Sequence, residues 1–204
     1  MALTLFAHSL PWVENLKVIN AVRFSDNTLP FTMYLNFDKP FVAVIIFAIM
    51  GYGTANFHIV NVLKWSSITM ISCIVTLIGL AFSIGYINYD PKLPSETIIW
   101  TLNNLFLVCT AEEAFFRRYL QNGISILLQK FNRSSQISIL LTSILFGLAH
   151  IKGGLEYILI STVAGIFYGY AYNKTQRVEA AIIVHFGLNA THFFLFSYPA
   201  LSPI

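Results

Sequence analysis

The sequence predicts an all-α fold, a polytopic transmembrane helical bundle of about six spans. Three observations predict it. Of 204 residues, 56% are hydrophobic and only 10% are charged, where a soluble domain carries about 25% charged residues. The mean hydropathy is +0.69. The apolar residues fall in blocks long enough to cross a bilayer, not in the short alternating segments of a membrane β-barrel. This composition excludes an ordinary cytosolic globule, a disordered tail, a nucleic-acid module and a disulfide scaffold. The net charge of +3 implies no more than a mild preference for an anionic leaflet.

The elements follow in order. The opening MALTLFAHSLPW lacks a basic n-region and a small-residue cleavage site, so an uncleaved span is expected to direct insertion. Over residues 1–39, Lys17, Arg23, Asp26 and Asp38 interrupt the apolar runs and Pro11 and Pro30 break them. An interfacial helix is expected there, and His8 is read as a bystander. A first span is expected from Pro40 to Val62, with Gly51 and Gly53 allowing close packing and His58 at its interfacial end. Lys64 and Trp65 mark a boundary. A second span follows from Ser66 to Tyr89, and DPKLP at 90–94 is a turn. The third, from Ser95 to Gln129, is apolar up to Thr110 and then carries AEEAFFRRYL at 111–120. The fourth, fifth and sixth run over 136–150, 155–172 and 178–198, separated by IKGG and NKTQR. This divides the chain into a segment 1–94 with about two spans and a core 95–198 with four. Basic loop residues number five on each side, so the positive-inside rule leaves the orientation open. Cys73 and Cys109 follow no metal or redox spacing and read as buried, inert thiols.

Ionisable groups within a span are costly and need a reason. They collect on three of the last four spans: Glu112, Glu113, Arg117 and Arg118 on the third, His150 at the end of the fourth, and His185 and His192 with Asn189 on the sixth. Glu113 and Arg117 stand at i and i+4 and can pair on one helix face. Glu112 points about 100° away and faces a different neighbour. His185, Asn189 and His192 share one stripe, and Phe146 lies one turn before His150. Glu112 and His150 are equally far from the loop centred near residue 131, so an antiparallel hairpin sets them at matching height. A carboxylate backed by a neutral imidazole can hold and deprotonate water. A second imidazole and an amide can donate to a developing oxyanion. The same Glu, His and His could instead bind a divalent metal such as zinc. Sequence leaves both mechanisms open.

Three motifs, Glu-Glu-x-x-x-Arg at Glu112, Glu113 and Arg117, Phe-x-x-x-His at Phe146 and His150, and His-x-x-x-Asn at His185 and Asn189, resemble the CPBP family. That family comprises the CAAX prenyl proteases of the Rce1 type and the bacterial Abi membrane proteases. The resemblance covers residues 95–198, the C-terminal half. It implies an intramembrane endopeptidase; the family was long called metalloproteases, and a glutamic-type mechanism with no resident metal is the reading favoured here. In it Glu112 and His150 activate water, while His185 and Asn189 form the oxyanion site. It further implies a structural, orienting part for Glu113 and Arg117. Phe146 reads as packing near the site and His192 as a cavity neighbour, with Tyr119 and Asn104 at its edge. Arg118 departs from the family, many members of which carry glycine there. The implied partners are membrane lipid and a membrane-associated protein or peptide, and the implied location is the bacterial inner (cell) membrane. Other readings of the same residues are a zinc enzyme with Glu112, His150 and His185 as ligands, a Cys109–His nucleophile, a proton-coupled transporter and a non-catalytic scaffold or immunity protein.

Overall fold

The computed structural model describes residues 15–54 and 56–202. The start of the chain, with His8, lies outside the described residues. Six helices follow a short β-hairpin. They are α1 (Asp38–Met50), α2 (Ile59–Ser83), α3 (97–127), α4 (Ser134–Ala149), α5 (Gly154–Thr175) and α6 (Val178–Leu195). The helical bundle is as expected. Three stretches, Ile59–Ser83, Ile151–Thr175 and Val178–Leu195, are long and apolar enough to cross a membrane. Their outer faces expose Val60, Ile71, Val75, Leu155 and Leu159. Apolar patches of that kind on a helical bundle belong against lipid.

Two expectations are corrected near the N-terminus. The stretch read as an interfacial helix is instead a hairpin of β1 (Leu16–Val22) and β2 (Phe31–Leu35), paired antiparallel. Its alternation places Ile19 and Met33 in the core and leaves their sequence neighbours more exposed, the period-2 pattern of a strand. The hairpin docks on an aromatic cluster in which Trp100 of α3 stacks on Phe193 of α6, centroids 4.0 Å apart. Phe24, Phe31 and Tyr198 close around that pair.

The expected first span, Pro40 to Val62, is not one helix. It breaks at Gly51, whose φ of +67° suits glycine, and α2 begins only at Ile59. The break is held from outside. Arg118 donates Nε–H to the Gly51 carbonyl at 2.9 Å and Nη2–H to that of Met50, so a cation closes the C-terminal end of α1. Gly53 lies so close to the backbone of Gln176 and Arg177 that a Cβ has no room. Val178 N–H donates to Tyr52 O at 3.1 Å, which joins this end of α1 to the α5–α6 turn.

The opposite end of the bundle carries the hairpin, the α2–α3 loop, the short 3-10 turn Ile151–Gly153 and the C-terminal segment. Tyr89 bridges to Phe196, and Thr28 to Leu201. Lys92 Nζ donates to Phe196 O and to Asp90 O, and burial lowers its ammonium below the usual lysine value despite Asp90. Helices α4 and α5 cross at small residues. A Cβ on Gly165 would meet Ser143 at 3.0–3.2 Å, the close approach that small residues permit between helices in lipid.

Candidate active site

Helix α3 is not a uniform α-helix. Its α-helical segments Thr97–Leu102, Thr110–Glu113 and Asn122–Leu127 alternate with π-helical stretches Asn103–Cys109 and Ala114–Gln121. In a π-helix the bonded residues are five apart, a device frequent at functional sites. Side chains follow that spacing here. Thr110 Oγ1 donates to Leu105 O at 2.8 Å, and Cys109 Sγ lies 3.3 Å from Asn104 Oδ1. Glu112 and Glu113 sit on the short α-helical turn between the two stretches.

The two acids have different surroundings. Glu113 is fully buried and so is Arg117. Glu113 Oε2 accepts from Arg117 Nε at 2.9 Å. Its Oε1 lies 2.8 Å from His185 Nδ1, and because a carboxylate only accepts, the imidazole donates. Arg117 Nη1 donates to Gln121 Oε1 at 3.2 Å, and Gln121 Nε2 to Gly169 O at 3.0 Å. The chain of bonds thus joins α3, α5 and α6. Gly169 leaves it room, since a Cβ there would lie 2.8 Å from Gln121 Oε1. His185 is stacked on Tyr168, centroids 4.5 Å apart and planes 15° from parallel. Phe146 meets it edge-on and lies under the Arg117 guanidinium at 5.7 Å.

Glu112 faces elsewhere. Its Oε1 accepts from Lys39 Nζ at 3.2 Å. Its Oε2 is buried and has no hydrogen-bond partner among the described residues, although a buried carboxylate oxygen ordinarily has one. A cavity of about 500 Å³ borders Glu112, His150, His185, Asn189 and His192 together. Both imidazoles of the motifs lie within electrostatic reach of Glu112. His150 follows the last residue of α4, and its Nδ1 lies 2.7 Å from Phe146 O, so Nδ1 carries a hydrogen, because a carbonyl only accepts. Asn189 Nδ2 donates to Asn104 Oδ1 at 3.2 Å and, over a longer 3.8 Å, toward Cys109 Sγ.

The fold therefore brings together the carboxylate, two imidazoles and amide singled out from three separate helices. Glu113, Arg117 and Phe146 stand directly behind them. His192 borders the same cavity, as does Asn104. Tyr119 does not; it is 47% exposed on the outer surface of α3. Lys39, 73 residues before Glu112, was not foreseen, and nothing local in the sequence marks it. Tyr198, packed edge-on against His192, was also missed. Burial pushes its phenol up to about 12, so it stays uncharged at the cavity wall. Among the described residues, no three His, Cys, Asp or Glu side chains are grouped to hold a metal ion. The set Glu112, His150 and His185 does not form such a group, and an ammonium already occupies one oxygen of Glu112.

Comparison with known proteins identifies one family. Residues 94–191 match the model of the family described as type II CAAX prenyl endopeptidase, Rce1-like. That segment, which holds all three motifs, belongs to the Rce1-like family. The match supports an intramembrane protease, integral to the membrane and acting on a membrane-associated protein. No curated protein and no solved structure matches the chain.

Arg117→Ala is expected to act on the fold first. It leaves Glu113 buried against His185 with half its compensation gone, which costs about 3–5 kcal/mol. A thermal melt in a fixed detergent should show a large drop. An unchanged melt would mean the pair carries no structural weight.

Proposed function

We propose that the protein is a glutamic-type intramembrane endopeptidase that cleaves a peptide bond by activated water. The observation that carries this reading is that Glu112, whose buried Oε2 has no hydrogen-bond partner among the described residues, borders a cavity together with two imidazoles and an amide. A water between Glu112 Oε2 and His150 Nε2 gives its proton to the carboxylate as its oxygen adds to the scissile carbonyl carbon. The carbonyl oxygen becomes an oxyanion. An Asn189 N–H, exchanging its long contact with Cys109 Sγ, donates to it, and so does His185 from Nε2. Because His185 Nδ1–H is committed to Glu113, that second donor is available only in the imidazolium form. The proton on Glu112 then passes to the departing nitrogen as the oxyanion re-forms the carbonyl and the C–N bond breaks; the new carboxylic acid gives its remaining water-derived proton to the amine, and carboxylate and ammonium leave. Glu113 and Arg117 orient His185 and touch no reacting atom.

Lys39 has a positioning part. Its ammonium holds Glu112 as a carboxylate with Oε2 turned to the cavity. The substrate is proposed to be the C-terminal or N-terminal tail of a membrane-anchored protein, a CAAX-ended tail being one form, in the inner membrane of a bacterium. No resident metal is required in this mechanism.

The test uses purified protein in lipid nanodiscs with a farnesylated CAAX peptide and a digest of membrane proteins, read by mass spectrometry. Wild-type protein should produce new termini, and Glu112→Gln should produce them roughly 10²–10⁴ times more slowly while melting as a folded protein. Full activity in Glu112→Gln would overturn the reading. Dialysis against a strong chelator should leave the rate unchanged. A loss restored by zinc would replace the glutamic mechanism with a metal one.

For Lys39, loss of one charge-assisted bond of about 1.5–3 kcal/mol predicts a roughly ten- to hundredfold lower rate in Lys39→Met. Lys39→Arg should recover most of it. A Lys39→Met rate equal to wild type would remove Lys39 from the mechanism.

A further inference from the structure

An endopeptidase must hold an extended stretch of backbone across its catalytic group. The site residues above supply the chemistry and no such cradle. The hairpin lies beside them. Phe31, Thr32, Met33 and Tyr34 border the cavity in unbroken succession, followed by Asn36. Successive side chains of a strand point to opposite faces, so a cavity that touches four in a row meets β2 along its edge.

That edge is open. β1 covers one side of β2. Among the described residues, no backbone hydrogen bond outside the hairpin reaches the N–H or C=O groups of residues 31–34. Unpaired strand edges recruit extended chains, and this stretch has already done so just ahead of β2. Leu29 N–H donates to Ala200 O at 3.0 Å, and Ser202 N–H to Asn27 O at 2.7 Å. Thr28 and Leu201 form an antiparallel bridge. Pro199 and Ala200 of that same C-terminal segment border the cavity. At its other end β2 runs toward the catalytic carboxylate, because Lys39, four residues past Leu35, bonds Glu112 at 3.2 Å.

We infer that β2 is the docking edge for the substrate backbone: an extended peptide adds to the β1–β2 hairpin as a third strand and is led along Phe31–Leu35 into the cavity over Glu112. This rests on the protease reading. Backbone hydrogen bonds supply the hold, and every second side chain of the peptide turns toward the apolar wall of Leu77, Ile78 and Ile160. The hairpin lies outside residues 94–191, so chemistry and docking come from different parts of the chain.

The experiment starts from a peptide that wild-type protein cleaves and Glu112→Gln does not. A series is made from it, each member carrying one N-methyl group in place of one backbone N–H near the cut. Strand addition predicts that kcat/KM falls roughly three- to tenfold at alternate positions, one lost bond each, with small effects between them. In parallel, a photo-crosslinking residue is placed at Thr32 or Tyr34 in the Glu112→Gln protein, and at Leu127 as a distant exposed control. Adducts with the peptide are expected from the two β2 positions and not from Leu127. N-methyl sensitivity without a period of two overturns the proposal. So does a period of two with no adduct at β2, which assigns the peptide to another edge. A wild-type protein that cleaves none of the peptides overturns the protease reading and this proposal together. Cleavage that survives Glu112→Gln overturns only the assigned base, since the N-methyl series and the adducts then still decide the docking edge.

Discussion

A fully buried guanidinium and a fully buried carboxylate hold the centre of this molecule. Neither charge would survive in such a place alone, because an isolated ion in a low-dielectric interior carries a large desolvation cost. Together they are tolerable, and each has a second task. Glu113 also accepts from His185, and Arg117 also donates to Gln121, which reaches the backbone at Gly169. Three helices are thereby fixed in rotation about their own axes. Phe146 and Tyr168 pack the aromatic faces of the same group. The orientation of the His185 imidazole is a by-product of this network.

With the second acid of the doublet used structurally, the first is the one that the proposed function assigns to chemistry. Neighbouring residues on a helix point about 100° apart, so one short turn can carry a carboxylate sunk in the bundle and another facing a cavity. The ammonium of Lys39 engages one oxygen of Glu112, and the other has no hydrogen-bond partner among the described residues. A buried polar atom without a partner is rare enough to need an explanation, and a water held for attack is one. The π-helical stretches on either side serve the same arrangement. They bring Asn104 into register with Cys109 and so within reach of Asn189.

Much of the site was legible in the sequence. The i, i+4 relation of Glu113 and Arg117, the separate direction of Glu112, and the stripe of His185, Asn189 and His192 all follow from ordinary helical periodicity. The equal distance of Glu112 and His150 from their shared loop places them at one height. What stayed hidden is non-local or irregular. Lys39 meets Glu112 across 73 residues, and no local pattern encodes that meeting. The π-helical spacing of α3 escapes a reading based on 3.6 residues per turn. The hairpin was masked by the polar interruptions of residues 15–37, which fit a surface helix as well as a strand when each strand buries a single side chain, Ile19 or Met33. The break after Met50 needed more than its glycines, since such residues also serve close helix packing. What fixes it is the side chain of Arg118, which bonds the carbonyls of Met50 and Gly51.

The central claim is that the two adjacent acids divide the work, one holding the fold and one reserved for water. Thermal melts of Glu112→Gln and Glu113→Gln in the same lipid nanodiscs test it most directly. The account predicts a melt close to wild type for Glu112→Gln, and for Glu113→Gln a loss of about 3–5 kcal/mol, the cost of stripping a buried pair of one partner. Equal losses in the two variants, or the larger loss in Glu112→Gln, would contradict it.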